Sequence, residues 1–150
     1  MRTLLRGVLF PLFISCYFFA DSQTSVLLKE INQTTTGVNS SPTKGVWFGS
    51  NYYFAANDGS NGTELWKSDG TSAGTVLLKD INTGNTSSSP SNFTVVGATL
   101  FFTADNGTHG SELWKTDGTA TGTVLVKDIR AGSSGSGPGS LFMMGSPACI

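Results

Sequence analysis

The sequence is poor in reactive side chains, with one histidine, His109, and two cysteines, Cys16 and Cys149, in 150 residues. Two cysteines cannot build a disulfide framework, so stability has to come from buried apolar surface. The lone His109 sits in a Thr108-His109-Gly110 turn with no evident acid or nucleophile partner, which argues against nucleophilic catalysis. Charge is also scarce. Charged residues make up 13% of the chain, and nine Lys and Arg against ten Asp and Glu leave a net charge of −1. Without a cationic field to gather phosphates, nucleic acid is excluded as an expected partner. What is abundant is small and polar: 19 glycines, 19 serines and 19 threonines, a composition of many short turns that excludes a long-helix protein. The length falls within one domain.

Residues 1–20 carry Arg2 and Arg6, then an apolar run over 7–20, then the polar Asp21, Ser22 and Gln23, which is the layout of a secretory signal peptide. The run is 14 residues long and contains Pro11, whereas a helix crossing the bilayer core needs about 20 apolar residues. No transmembrane span is therefore expected in the mature chain, and the expected location is secreted or cell-surface. Ala20 suits a cleavage site, although Phe18 occupies the other position where a small residue is usual. Cys16 offers a weaker alternative as a lipoprotein cleavage site, opposed by the apolar residues 17–20 that follow it. Loss of the leader leaves seven basic and ten acidic side chains, a net charge of −3, and Cys149 as the remaining thiol.

The body of the chain repeats itself. Residues 49–96 align with 97–144 without a gap and are identical at 22 of 48 positions. A looser copy precedes them in 21–48, because residues 25–31 return as 75–81 and as 123–129. The expected organisation is thus a leader (1–20), a degenerate first repeat (21–48), two full repeats (49–96 and 97–144, the second ending in the start of a truncated third) and a tail (145–150). Periods of this size mark repeat architectures. Within one period, 92–96, 99–104, 111–116 and 123–129 are short runs rich in Val, Phe, Leu, Trp and Thr, separated by Gly, Asn and Asp clusters, which are strand signals. Gly97-Ala98 permits a tight hairpin between the first two runs. Each period reads as a four-stranded antiparallel meander. Adjacent apolar residues such as Val95-Val96 and Leu100-Phe101 put apolar groups on both faces, as expected of a sheet packed between two others. The fold class expected is all-β, with tandem four-stranded propeller-like blades, about two blades plus partial ends in an incomplete ring.

Glu64-Leu65-Trp66-Lys67-Ser68-Asp69-Gly70-Thr71-Ser72-Ala73-Gly74-Thr75, and its copy beginning Glu112-Leu113-Trp114 and continuing through Asp117, Gly118, Thr119, Gly122 and Thr123, resemble the ELWxxDGTxxGT repeat of secreted and surface proteins. The resemblance covers residues 26 to about 145, and the Lys-Asp-Ile at 79–81 and 127–129 fits it. It implies tandem β-sheet repeats of propeller-like form, found in large exported bacterial proteins of mostly unassigned function, and it carries over no catalytic residue. The degenerate stretch 33–48 and the stop after 141–145 depart from the pattern, so a fragment, a truncated product or copies sharing one ring are the expectations.

A catalytic constellation is needed once per site, whereas Glu64 recurs as Glu112, Asp69 as Asp117 and Trp66 as Trp114, which favours an architectural role. Asp69-Gly70 and Asp117-Gly118 suit turns in which the carboxylate accepts backbone N–H bonds and Thr71 or Thr119 adds a hydroxyl. Asp58, Asp69, Asp105 and Asp117 are hard oxygen ligands that keep calcium as a minor alternative, but no stretch has the spacing of a calcium loop, so no cofactor or metal is expected. Trp47, Trp66 and Trp114 suit core packing between sheets, with sugar stacking as the rival role. Lys67 and Lys115 are expected at strand edges or paired with Glu or Asp across a hairpin. Glycoside hydrolysis would need two carboxylates about 5 to 10 Å apart across a cleft, and none of the ten acids stands outside the repeat pattern in a suggestive context. Residues 131–140 lack a phosphate-loop Lys and read as a flexible connector. Asn32, Asn39, Asn61, Asn85, Asn92 and Asn106 begin sequons and are candidate glycosylation sites. The expected function is a non-enzymatic interaction or adhesion scaffold whose partner is a surface protein or glycan, with homo-oligomers open to it. A carbohydrate-binding lectin of oligomerised blades, or an accessory part of a truncated secreted hydrolase, are the alternatives.

Overall fold

Turns rich in glycine, asparagine and aspartate cut the chain into short apolar runs, and each run becomes a strand. The computed structural model describes residues 28–33 and 39–141. The expected signal segment 1–20, Cys16, Cys149 and the expected tail 145–150 lie outside the described residues. Eight strands follow one another: β1 (Val46–Phe48), β2 (Asn51–Asn57), β3 (Thr63–Ser68), β4 (Val76–Lys79), β5 (Ser91–Val96), β6 (Thr99–Asp105), β7 (Ser111–Thr116) and β8 (Val124–Lys127). They form two antiparallel four-stranded meanders, β1-β2-β3-β4 (sheet A) and β5-β6-β7-β8 (sheet B). The protein is all-β, with no helix among the described residues, hence none long and apolar enough to cross a membrane.

The two sheets share one register plan. Phe54 pairs with Trp66 and Ala56 with Glu64 in sheet A, and Phe102 pairs with Trp114 and Ala104 with Glu112 in sheet B. The pairing shifts at Leu65/Trp66 and again at Leu113/Trp114, so one extra residue, Leu78 or Val126, bulges from the last strand. Sheet and sequence repeat are out of phase. β1 comes from the degenerate 21–48 stretch and β5 from the end of the 49–96 repeat, so each sheet takes its first strand from the preceding sequence unit.

The core lies between the sheets. Tyr53, Leu65, Leu78 and Ile81 of the first unit meet Leu100, Phe102, Ala104 and Trp114 of the second. Burying such side chains contributes roughly 1.5 to 3 kcal/mol apiece. A smaller cluster, Phe54, Ala56 and Trp66, lies on the other face of sheet A, where Ile31 covers part of it.

Candidate functional site

The repeated polar residues are held by local geometry. Asp69 Oδ1 accepts from the Thr71 N–H (2.8 Å) and the Thr71 hydroxyl (2.7 Å), while Thr71 Oγ1 accepts from the Gly74 N–H at 2.9 Å. Thr75 Oγ1 donates to the Thr71 carbonyl (2.7 Å) and lies 2.7 Å from Ser68 Oγ. The second copy repeats the set: Thr119 N–H and hydroxyl to Asp117 at 2.9 and 2.7 Å, Gly122 N–H to Thr119 at 2.9 Å, Thr123 to the Thr119 carbonyl at 2.7 Å. Hydrogen bonds from Thr71 and Thr119 hold the Asp69 and Asp117 carboxyls below the usual carboxylate range. Ser68 and Thr116, which accept from the Gly70 and Gly118 N–H groups, complete each turn. Nothing in their sequence context marked them.

Glu64 and Glu112 are anchors for the connections that leave each sheet. Glu64 accepts from the Ile81 N–H (2.8 Å), the Ser88 N–H (2.8 Å) and the Ser88 hydroxyl (2.5 Å). Glu112 accepts from Ser136 N–H at 2.7 Å and its hydroxyl at 2.5 Å, with longer bonds from Ile129 and Arg130. The serine-rich segment 131–140 is therefore pinned to sheet B, also through Gly137 N–H to the Ser111 carbonyl at 2.9 Å, and differs from the free connector its composition suggests. Both carboxylates are fully buried. Burial pushes the Glu64 carboxyl up against the opposing hydrogen bonds, whereas the Ser136 hydroxyl holds the Glu112 carboxyl down.

The lysines work between the repeats. Lys67 Nζ donates to the Gly118 carbonyl at 3.0 Å, and Lys79 Nζ to the Thr123 carbonyl at 2.9 Å and the Ala120 carbonyl at 3.2 Å. Lys29 Nζ reaches the Thr75 carbonyl at 2.7 Å in the same way. Lys67 thus bonds to the turn of the next repeat, and not to an acid across its own hairpin.

The other candidates are scattered. Asp58 accepts from the Ser60 and Asn61 N–H groups and from the Asn61 amide, while Asp105 accepts from the Gly107 N–H. Among the described residues no three His, Cys, Asp or Glu side chains converge on a common point. His109 Nδ1 lies 2.9 Å from Asn106 Nδ2 and 3.2 Å from its Oδ1, and its Nε2 is 4.0 Å from Asp128 Oδ2, an acid neighbour that the sequence context did not reveal. Of the sequons, Asn32 is buried, Asn61 and Asn106 are half-buried and bonded within the protein, and Asn39, Asn85 and Asn92 are exposed, Asn39 and Asn92 also taking part in local hydrogen bonds.

Trp66 and Trp114 are both buried, Trp114 donating its indole N–H to the Ala104 carbonyl at 3.1 Å. Trp47 is different, 62% exposed and packed edge-on against Tyr52 with ring centroids 5.4 Å apart. Tyr52 stacks on Phe54 at 6.1 Å. These three rings form one wall of a predominantly apolar groove of about 490 Å³, whose other walls include Leu28, Ile31, Pro42 and Gly70. It opens on the face of sheet A that sheet B does not cover, and it is the feature best suited to hold a partner. No protein-family model matches the chain, and no curated protein or solved structure does so.

Proposed function

We propose that the protein is a non-enzymatic, exported interaction or adhesion module, built of propeller-like blades of the ELWxxDGT type, that binds through the aromatic groove of sheet A. The observation that carries this reading is the groove itself: an open apolar surface with Trp47 62% exposed, in a protein whose buried Glu64 and Glu112 carboxylates are engaged by backbone and serine hydrogen bonds. Large exposed apolar patches on small proteins mark interaction surfaces, and the leader-like residues 1–20 put such a surface outside the cell. Adhesion of chain-coated beads to protein-coated and glycan-coated surfaces tests it. Trp47→Ala or Tyr52→Ala should weaken adhesion at least about tenfold, as loss of an aromatic anchor does. Unchanged adhesion in both variants would overturn the reading.

The exposed indole also favours a second reading, a lectin in which Trp47 stacks on a sugar ring. A glycan array decides between them: binding to defined glycans that vanishes in Trp47→Ala supports the lectin, and silence on glycans with retained protein adhesion supports the scaffold.

A further inference from the structure

The contact between the two sheets is a template whose two outer counterparts have no third sheet against them among the described residues. Inside, one side of the contact is built by Phe48, Tyr53, Leu65, Leu78 and Ile81, and the other by Val95, Leu100, Phe102, Ala104 and Trp114. One 48-residue period later, the first set recurs on the outer side of sheet B as Val96, Phe101, Leu113, Val126 and Ile129. One period earlier, the second set recurs on the outer side of sheet A as Trp47, Tyr52, Phe54, Ala56 and Trp66. The outer face of sheet B is a more exposed version of its inner counterpart, whereas on the outer face of sheet A Phe54, Ala56 and Trp66 are buried and Trp47 is exposed. Val126 is 43% exposed where Leu78 is 7%, and Ile129 is 58% exposed where Ile81 is 7%.

The sizes of these residues say what covers the faces. In the inner contact β1 lies against β5, with the large Phe48 on one side and the small Val95 on the other. At the outer faces the order is exchanged, Val96 being small where Phe48 is large and Trp47 large where Val95 is small. Close packing requires such a loss on one side to be matched on the other, and here the match lies on the opposite end of the same chain. The polar contacts agree. Lys67 and Lys79 bond to the Gly118 and Thr123 carbonyls across the inner contact, and their counterparts Lys115 and Lys127 are exposed on sheet B, while Gly70 and Thr75, the counterparts of Gly118 and Thr123, line the groove. Part of that face is already covered from within, since Lys29 bonds to Thr75 as Lys79 does to Thr123, and Ile31 packs on Trp66 as Ile81 does on Trp114.

We propose that the outer face of sheet B docks head-to-tail on the groove face of sheet A of a second copy of this chain, residues 126–129 of one copy displacing residues 28–31 of the other. The proposal rests on the reading of the groove as an interaction surface and names its partner. Such a contact is heterologous, so mass grows with concentration and does not stop at a symmetric dimer.

Light scattering of the full chain over a concentration series tests it. Wild type should gain mass with concentration. Trp47→Glu, which blocks the groove, and Val126→Glu, which blocks the sheet B face, should each weaken association at least about tenfold. An equimolar mixture of the two should form a dimer and nothing larger, because each copy keeps one intact face. That complementation also shows that both variants fold, as does a near-ultraviolet circular dichroism spectrum matching wild type. Ile31→Asp, which loosens the internal plug, should tighten association at least about threefold by raising the population of the open face. A wild type that is monomeric throughout, a mixture that does not dimerise, or an Ile31→Asp chain that associates no better would each overturn the proposal. Groove-dependent adhesion by a strictly monomeric chain would overturn self-docking alone. Self-docking combined with adhesion unaffected in Trp47→Ala would overturn the adhesion reading alone.

Discussion

Glu64 and Glu112 occupy the same place in two copies of one motif, yet their carboxyls move in opposite directions. Burial raises Glu64, which the connection through Ile81 and Ser88 wraps, and hydrogen bonds led by the Ser136 hydroxyl lower Glu112. The signs follow from linkage. Glu64 binds its proton more tightly when folded, so its contribution to stability is full below the unfolded value and is lost as pH rises through the raised folded value. Glu112 contributes fully above the unfolded value and loses its contribution as pH falls through the lowered folded one. The melting-temperature advantage of wild type should therefore shrink from acid to neutral pH against Glu64→Gln and grow against Glu112→Gln; parallel curves would refute the assignment. At neutral pH Glu64→Gln should still cost about 1 to 3 kcal/mol in urea unfolding, because its amide NH₂ replaces an oxygen that faces donors. Backbone strain repeats as well. Ser41, Ser89 and Gly137 each precede a proline with positive φ, at 43°, 50° and 55°. Glycine already stands at the third, and Ser89→Gly should raise stability by about 0.5 to 1 kcal/mol, read from the urea midpoint, by relieving the left-handed strain that a Cβ imposes.

At the scale of the element, the Asp-Gly-Thr turns are units of side-chain hydrogen bonds as much as of glycine backbone. Gly74 and Gly122 are required for a different reason than the turn glycines: a Cβ at either would collide with the carboxylate of Asp69 or Asp117. Gly122→Ala should destabilise the protein by about 1 to 3 kcal/mol, the cost of overpacking a closed site, and hydrogen exchange at the Thr119 and Gly122 amides should rise with it. Protection there equal to wild type would mean that the turn absorbs the methyl group. The strands were legible because their runs are short and bounded by turn residues: 99–104 and 111–116 in sequence became Thr99–Asp105 and Ser111–Thr116 in the sheet. The bulge opposite Leu65/Trp66 was not, since an inserted residue such as Leu78 looks like any other apolar residue in its run.

At the scale of the whole molecule, the two sheets share one core and should unfold together. Leu100 has no exposed surface and lies at their contact. Leu100→Ala should cost about 2 to 5 kcal/mol, with tryptophan fluorescence and far-ultraviolet circular dichroism following a single urea transition. Two separated transitions would show that the sheets are independent units.

The amino-acid order by itself determined what local rules and repetition can carry: strand positions, hairpin turns, the two copies of the motif and the pairing of each strand with its successor. Repetition also indicated that Glu64, Asp69 and Trp66 serve the architecture, because a reaction does not need its residues once per repeat. What each of them touches was decided only in three dimensions. Glu64 meets Ser88 across 24 residues and Lys67 meets Gly118 across 51, separations that no local pattern encodes. The difference between Trp47 and the other two tryptophans is of the same kind. All three sit in apolar runs, but Trp114 is buried in the contact between the sheets, whereas Trp66 and Trp47 share the outer face of sheet A, where Trp66 packs with Phe54, Ala56 and Ile31 and Trp47, on the edge strand β1, stays 62% exposed.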